Sequence, residues 1–150
     1  MINIRQKGQT GERDVINALE PIARKVMAEL GIPAPEKNIL QRNQNQSAVG
    51  GADISGAFGL SIEVKRQEQL SINTWWKQCE KSATETKEIP VLLFRQNGKK
   101  WRCMMFAELP LPPIAPAYSA GMRARVEFDW EQFQTWFETW VRNWLTKTGV

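Results

Sequence analysis

The run Gly50-Gly51-Ala52-Asp53-Ile54-Ser55-Gly56, followed by Leu60-Ser61-Ile62-Glu63-Val64-Lys65-Arg66, constrains this chain more than any other stretch. A glycine pair delivers one carboxylate, and a second carboxylate and a lysine follow two residues apart in a segment of strand character. Strands alternate faces with a period of two, so Ile62 and Val64 point one way while Glu63 and Lys65 point the other. Residues 52–58 and 60–66 read as two strands joined in a tight hairpin near Gly59, with two acids and a base on one surface. Two carboxylates about 4 Å apart repel by roughly 4 kcal/mol at an effective dielectric near 20. A chain that carries that cost keeps a cation nearby, either Lys65 or a metal ion. The plainer reading is a surface cross-strand pair of Glu63 and Lys65, worth under ~1 kcal/mol.

Composition narrows the chemistry. Histidine is absent. That excludes Ser-His-Asp and Cys-His triads, imidazole-based zinc sites and nucleases with a histidine general base. Any catalytic metal must be held by carboxylates and carbonyls, which favours Mg²⁺, with Mn²⁺ as substitute. Cys79 and Cys103 are too few for a disulfide framework and lack zinc-site spacing. The 150 residues suit one domain with a real core. No apolar run approaches the ~20 residues that span a bilayer, and the first ten residues are polar. The expectation is a cytoplasmic protein, in a prokaryotic cell or a phage-infected host, with no membrane partner and no nucleotide cofactor. Twenty Lys and Arg against 16 acids leave a net charge of +4, which tilts towards a polyanionic partner.

Along the chain, the spacing predicts a helix from Thr10, whose hydroxyl can cap, to about Leu30, where Gly31 and Pro33 stop it. Its apolar stripe is Val15, Leu19, Ile22, Val26 and Leu30. Glu12 falls on the same face in the first turn, where the helix dipole favours a carboxylate. Residues 38–42 read as a short strand, followed by a polar loop from Asn43 to Ser47. Ser71 is a candidate cap for a second helix with Ile72, Trp75, Trp76, Cys79 and Ala83 on its apolar side. Pro90 to Phe94 is a continuous apolar strand, as in a sheet covered on both faces. Asn97-Gly98 turns the chain into a strand from Lys100 to Phe106. Residues 107–128 read as a proline-rich connector and a further strand or flap. Asp129-Trp130-Glu131-Gln132 resembles a capping box that opens a last helix over 129–146. The order is α/β: a single domain with a central mixed β-sheet flanked by helices and an added C-terminal Trp-rich helix. The aromatic stripe of that helix is core or dimer interface, with Trp136 and Trp75 as the more exposed tryptophans.

Hydrolysis of a phosphodiester requires charge neutralisation at the phosphate and an activated water, and a divalent cation serves both needs. Asp53, Glu63 and the Val64 carbonyl are suitable hard ligands. Lys65 would orient or deprotonate the water or stabilise the pentacovalent charge, and Glu12 could reach a second metal position.

These residues, Asp53 and Glu63-Val64-Lys65, resemble the PD-(D/E)xK nuclease signature with its proline missing. Lys7-Gly8-Gln9-Thr10-Gly11-Glu12-Arg13 is similar to the opening motif of archaeal-type Holliday junction resolvases. Arg42, Ile62 to Lys65, Ile89 to Leu92 and Trp101-Arg102 follow in the same order, so the resemblance spans residues 7 to about 106. It implies a restriction-endonuclease-like fold. It also implies a homodimer that makes symmetric Mg²⁺-dependent nicks in four-way DNA junctions, leaves 5′-phosphates, and serves recombination or repair. Its catalytic set would be Glu12, Asp53, Glu63 and Lys65. Arg13 and Arg42 would lie near phosphate or site. Ser55, Arg66, Gln67, Gln78 and Lys81, with Lys99 and Lys100, sit on or near the elements that would flank it and are candidate DNA contacts. The tail from Ala107 has no counterpart in the resemblance. Two alternatives stay open: another nuclease of this fold acting in repair or restriction, and a non-catalytic DNA-binding module built on it.

Overall fold

The computed structural model describes residues 4–43, 52–111 and 121–147. The polar run after Asn43, the glycine pair Gly50-Gly51 and most of the proline-rich connector lie outside the described residues. Helix α1 runs Ile4–Glu29, and Thr10 is therefore an interior residue instead of the cap. Arg, Gln and Lys favour helix, yet a polar stretch offers no apolar stripe, so the early start is invisible to periodicity. Val15, Leu19 and Val26 are fully buried as the stripe requires, while Ile22 and Leu30 are half-buried partners of the core.

Strands β1 (Gln41–Arg42) and β2 (Ile54–Ser55) are short, and β3 (Leu60–Arg66) is the sheet's spine. Then come α2 (Ile72–Thr86), β4 (Ile89–Arg95), β5 (Arg102–Pro110), β6 (Gly121–Asp129) and α3 (Trp130–Lys147). The six strands lie in chain order β1-β2-β3-β4-β5-β6. Only β3 and β4 run parallel, and α2 is the crossover that joins them; the other neighbours are antiparallel. One core lies between the sheet and α1 with α3. A second, with Trp75, Trp76, Cys79, Leu92 and Phe94, lies under α2.

Three expectations need correction. Trp75 is buried, at 4% exposure, because the helix turns both tryptophans of its pair onto the sheet; Trp144 is the exposed one. Ser71 stands at the N-cap of α2, but its hydroxyl makes no cap bond. The connector expected from residue 107 begins inside β5, whose last residues extend through Pro110 because β6 pairs with them one for one. At the start of α3 the capping expectation is met: the Gln132 N–H donates to Asp129 Oδ1 at 2.8 Å.

The β2–β3 hairpin is fixed from outside. Gly56 has φ +78°, and a Cβ there would fall 2.3 Å from the Ile39 carbonyl oxygen, so no other residue fits. Gly59 has φ +84° and lies under the Trp144 ring, 2.6 Å from where its Cβ would stand. One turn earlier on α3, Trp140 Nε1 donates to the Phe58 carbonyl at 2.9 Å. The Trp-rich helix thus clamps the turn of the hairpin that bears both carboxylates.

Candidate active site

Asp53 precedes β2 instead of lying within a strand from residue 52. Its backbone N–H donates to the Ile62 carbonyl at 3.0 Å, and its own carbonyl accepts the Asn43 N–H at 2.8 Å. Among the described residues β2 offers β3 no ladder partner beyond that point, since Ile54 opposite Ile62 is their only register pair. The Asp53 carboxylate fills the place of the missing strand: its Oδ2 accepts the Val64 N–H at 2.7 Å. In a strand the N–H and C=O of one residue point to the same side. The Val64 carbonyl therefore faces the same gap as Asp53.

Glu63 and Lys65 sit on the face of β3 that α2 covers, so this is no solvated pair. Glu63 is 7% exposed. Its carboxyl is pushed up to about 8, first by burial, then by the Asp53 charge and a hydrogen bond with Asp53; the Lys65 ammonium pulls it back and Glu12 adds to the rise. Two acids in a buried gap, with a strand carbonyl aimed into it, are a hard-oxygen donor set that a divalent cation fits. Lys65 is half-buried beside them. Among the described residues its ammonium has no hydrogen bond or ion pair.

Glu12 approaches from α1. Gly11 makes this approach possible: a Cβ there would meet Arg66 Cβ at 3.3 Å, Trp101 at 3.4 Å and Val64 Cγ1 at 3.5 Å. The Glu12 carboxyl is raised by burial first and by the Asp53 charge second, and the bond from Arg42 opposes this. Arg42 Nε reaches Glu12 Oε2 at 3.1 Å. Glu12 is thus within electrostatic reach of Asp53 and Glu63, with its own carboxylate engaged by arginine. Among the described residues no group of three acids stands close enough to form a metal cluster. The candidate cation ligands reduce to Asp53, Glu63 and the Val64 carbonyl, with Glu12 behind them.

The outer candidates divide. Arg13 and Arg42 come together on one cleft of about 540 Å³, which Lys37, Asn38 and Gln41 also line. Ser55 Oγ donates to the Gln41 carbonyl at 3.3 Å and so ties β2 to β1. Arg66 turns to the α1 face, with Nε to Asn97 Oδ1 at 3.3 Å and Nη1 4.0 Å from Asp14. The Gln67 N–H serves the sheet, donating to the Arg95 carbonyl at 3.1 Å. Gln78 and Lys81 are exposed on α2, off its buried face. Lys99 and Lys100 lie with Arg95 and Trp101 on a separate cleft of about 600 Å³.

Sequence reasoning passed over Glu20. It is buried at 7% exposure and accepts the Ile39 and Leu40 N–H groups at 2.9 Å each, and Arg24 Nε at 2.8 Å. It thereby anchors the chain entering β1 and so the position of Arg42. Only its place on the buried stripe, one residue after Leu19, signals this.

A glutamate on the first helix, an aspartate at the hairpin and Glu-x-Lys on the central strand of a mixed sheet follow the residue pattern of the PD-(D/E)xK class of nucleases. The chain belongs to the family described as "Phage putative PDDEXK endonuclease", whose model matches residues 3–148 and so takes in the Trp-rich tail. Among solved structures, the chain is similar to the Holliday junction resolvase Hjc of Archaeoglobus fulgidus. The identity is 14% and the TM-score 0.47, covering 86% of this chain and 96% of that one. No curated protein matches the chain.

Proposed function

We propose that this protein is a divalent-cation-dependent DNA endonuclease selective for branched DNA, with the four-way junction as its preferred substrate. The observation that carries the catalytic half is the Asp53–Glu63 pair in the gap of β3 with Lys65 beside it. When bound there, Mg²⁺ or Mn²⁺ supplies charge neutralisation at the phosphate and activation of water. Asp53 holds its position through the Val64 N–H and directs one oxygen into the gap. Glu63, whose carboxyl is raised by burial, would hold the cation beside Asp53 once deprotonated. Lys65, whose charge acts on Glu63, would orient the attacking water and stabilise charge on the pentacovalent phosphate. Glu12 keeps Arg42 directed at the cleft, where Arg42 and Arg13 can hold a flanking phosphate. Attack of water on the phosphorus with the 3′-oxygen as leaving group would leave a 5′-phosphate and a 3′-hydroxyl.

The junction half is supported by the ordered motifs from Lys7 to Arg102 and by a basic cleft beside the site, which suits recognition by phosphate position and shape. Two nicks in opposing strands call for a homodimer. The test is cleavage of a labelled four-way junction against a linear duplex of the same sequence, each with and without Mg²⁺. Preferential junction cutting in Mg²⁺ is expected. Equal cutting of both substrates would reject junction selectivity and leave a general nuclease of repair or restriction type. Binding without cutting under every cation would leave only a DNA-binding module.

A further inference from the structure

Among the described residues β6 is the last strand of the sheet, and no further strand pairs with its outer edge. At the β1 end the edge is two residues long, whereas β6 presents nine, Gly121–Asp129. Its pairing with β5 is one for one throughout, from Arg102 opposite Asp129 to Pro110 opposite Gly121, so no bulge twists it away. It carries neither proline nor lysine. Long unbulged edges with free N–H and C=O groups are templates for another strand.

The charge order shows which strand. Along one face β6 carries Arg123 and Arg125, then Glu127 and Asp129. The chain itself holds three of them on that face: Arg123 lies 3.9 Å from the Phe106 ring centroid, Arg125 donates to Asn73 at 2.9 Å, and Arg102 grips Glu127 through two 2.7 Å bonds. We propose that β6 binds β6 of a second copy of this chain, antiparallel about Val126, so that one sheet runs through both protomers.

In that register Val126 faces the partner's Val126, Arg125 faces the partner's Glu127, and Arg123 faces the partner's Asp129. Residues opposite each other in an antiparallel pair are close enough for such pairs to act. A shift of the centre by one residue sets Arg125 on the partner's Arg125, or Glu127 on the partner's Glu127. Only the register about Val126 is free of such clashes while opposing every charge with its opposite. On the other face, Phe128 of the partner comes to rest against Ala124. There it extends an apolar cleft of about 400 Å³ lined by Met105, Ala107, Val126, Phe128 and Trp136.

The proposal names the surface of the dimer invoked above, but it does not rest on catalysis. Assembly is measured by sedimentation of the full chain without DNA or cation. The wild type is expected to be a dimer. Arg125→Glu and Glu127→Arg should each weaken it by roughly tenfold or more through like-charge opposition. Mixed together, the two variants should form a heterodimer, because each chain then meets its opposite charges. Folding of each is checked by thermal unfolding. In a second arm, Val126→Cys should form a disulfide-linked dimer on mild oxidation, while Ala124→Cys and Phe128→Cys should not; the native cysteines are buried. A monomeric wild type, or a dimer indifferent to both charge reversals and uncrosslinked at position 126, overturns the proposal. Either result leaves the nuclease reading untouched, and a chain that dimerises but cuts no DNA leaves the edge assignment standing.

Discussion

Folded Glu63 keeps its proton to about pH 8, against an ordinary carboxyl near 4.5. Between those values the folded chain binds more protons than the unfolded chain, so stability falls as pH rises through that window. Glu63→Gln removes the group whose ionisation the fold opposes. It should raise stability by about 4 kcal/mol at pH 8, a gain that shrinks to nothing near pH 4.5, as urea unfolding across pH would show. A cation must displace the same proton, so Mg²⁺ affinity measured by calorimetry should rise roughly tenfold per pH unit between pH 6 and 8. Gly11→Val would push α1 away from Val64 and Trp101 and carry Glu12 with it. Cleavage should drop by about ten- to a hundredfold, with junction affinity far less changed in a binding assay. At this scale the acids and Lys65 were legible, because their types and spacing carry the chemistry. The burial of Glu63 was not: alternation along β3 shows which residues share a face, and only the fold of Trp75 and Trp76 onto that face closes it. Glu20 escaped because its partners are backbone N–H groups on a distant segment.

The β2–β3 hairpin holds its turn between α3 and the chain before β1. Gly59→Ala meets both a left-handed φ and the Trp144 ring, and should cost about 2 kcal/mol or more in thermal or urea unfolding. Trp140→Phe keeps the packing and loses the bond to the Phe58 carbonyl. It should cost about 1 kcal/mol and loosen amide-exchange protection across residues 56–60. Elements with a strong period or a clear cap, such as the middle of α1 and the start of α3, were legible. The polar first turns of α1 and the far half of β5 were not. Helix-forming polar residues leave no stripe, and Pro110, with three more prolines following in the sequence, hides a strand whose order comes from β6 beside it. That α3 clamps the hairpin is a contact between residues some eighty positions apart, which no local pattern encodes.

Across the whole molecule, the described surface brings Arg13, Lys37 and Arg42 together on one cleft, tied to the site through the Arg42–Glu12 bond. Junction affinity should therefore fall steeply with salt, and Arg13→Ala should lower the salt slope by about 1 while leaving cleavage of bound DNA nearly unchanged. The central claim is that Asp53 and Glu63, with Lys65, form a cation-dependent hydrolytic site. It is tested most directly by single-turnover cutting of a labelled four-way junction, with wild type and Glu63→Gln compared in Mg²⁺ and in EDTA. The account predicts nicks by wild type in Mg²⁺ alone, with Glu63→Gln slower by roughly a thousandfold or more yet still able to bind the junction. Cutting that survives EDTA, or that Glu63→Gln performs at the wild-type rate, would contradict it.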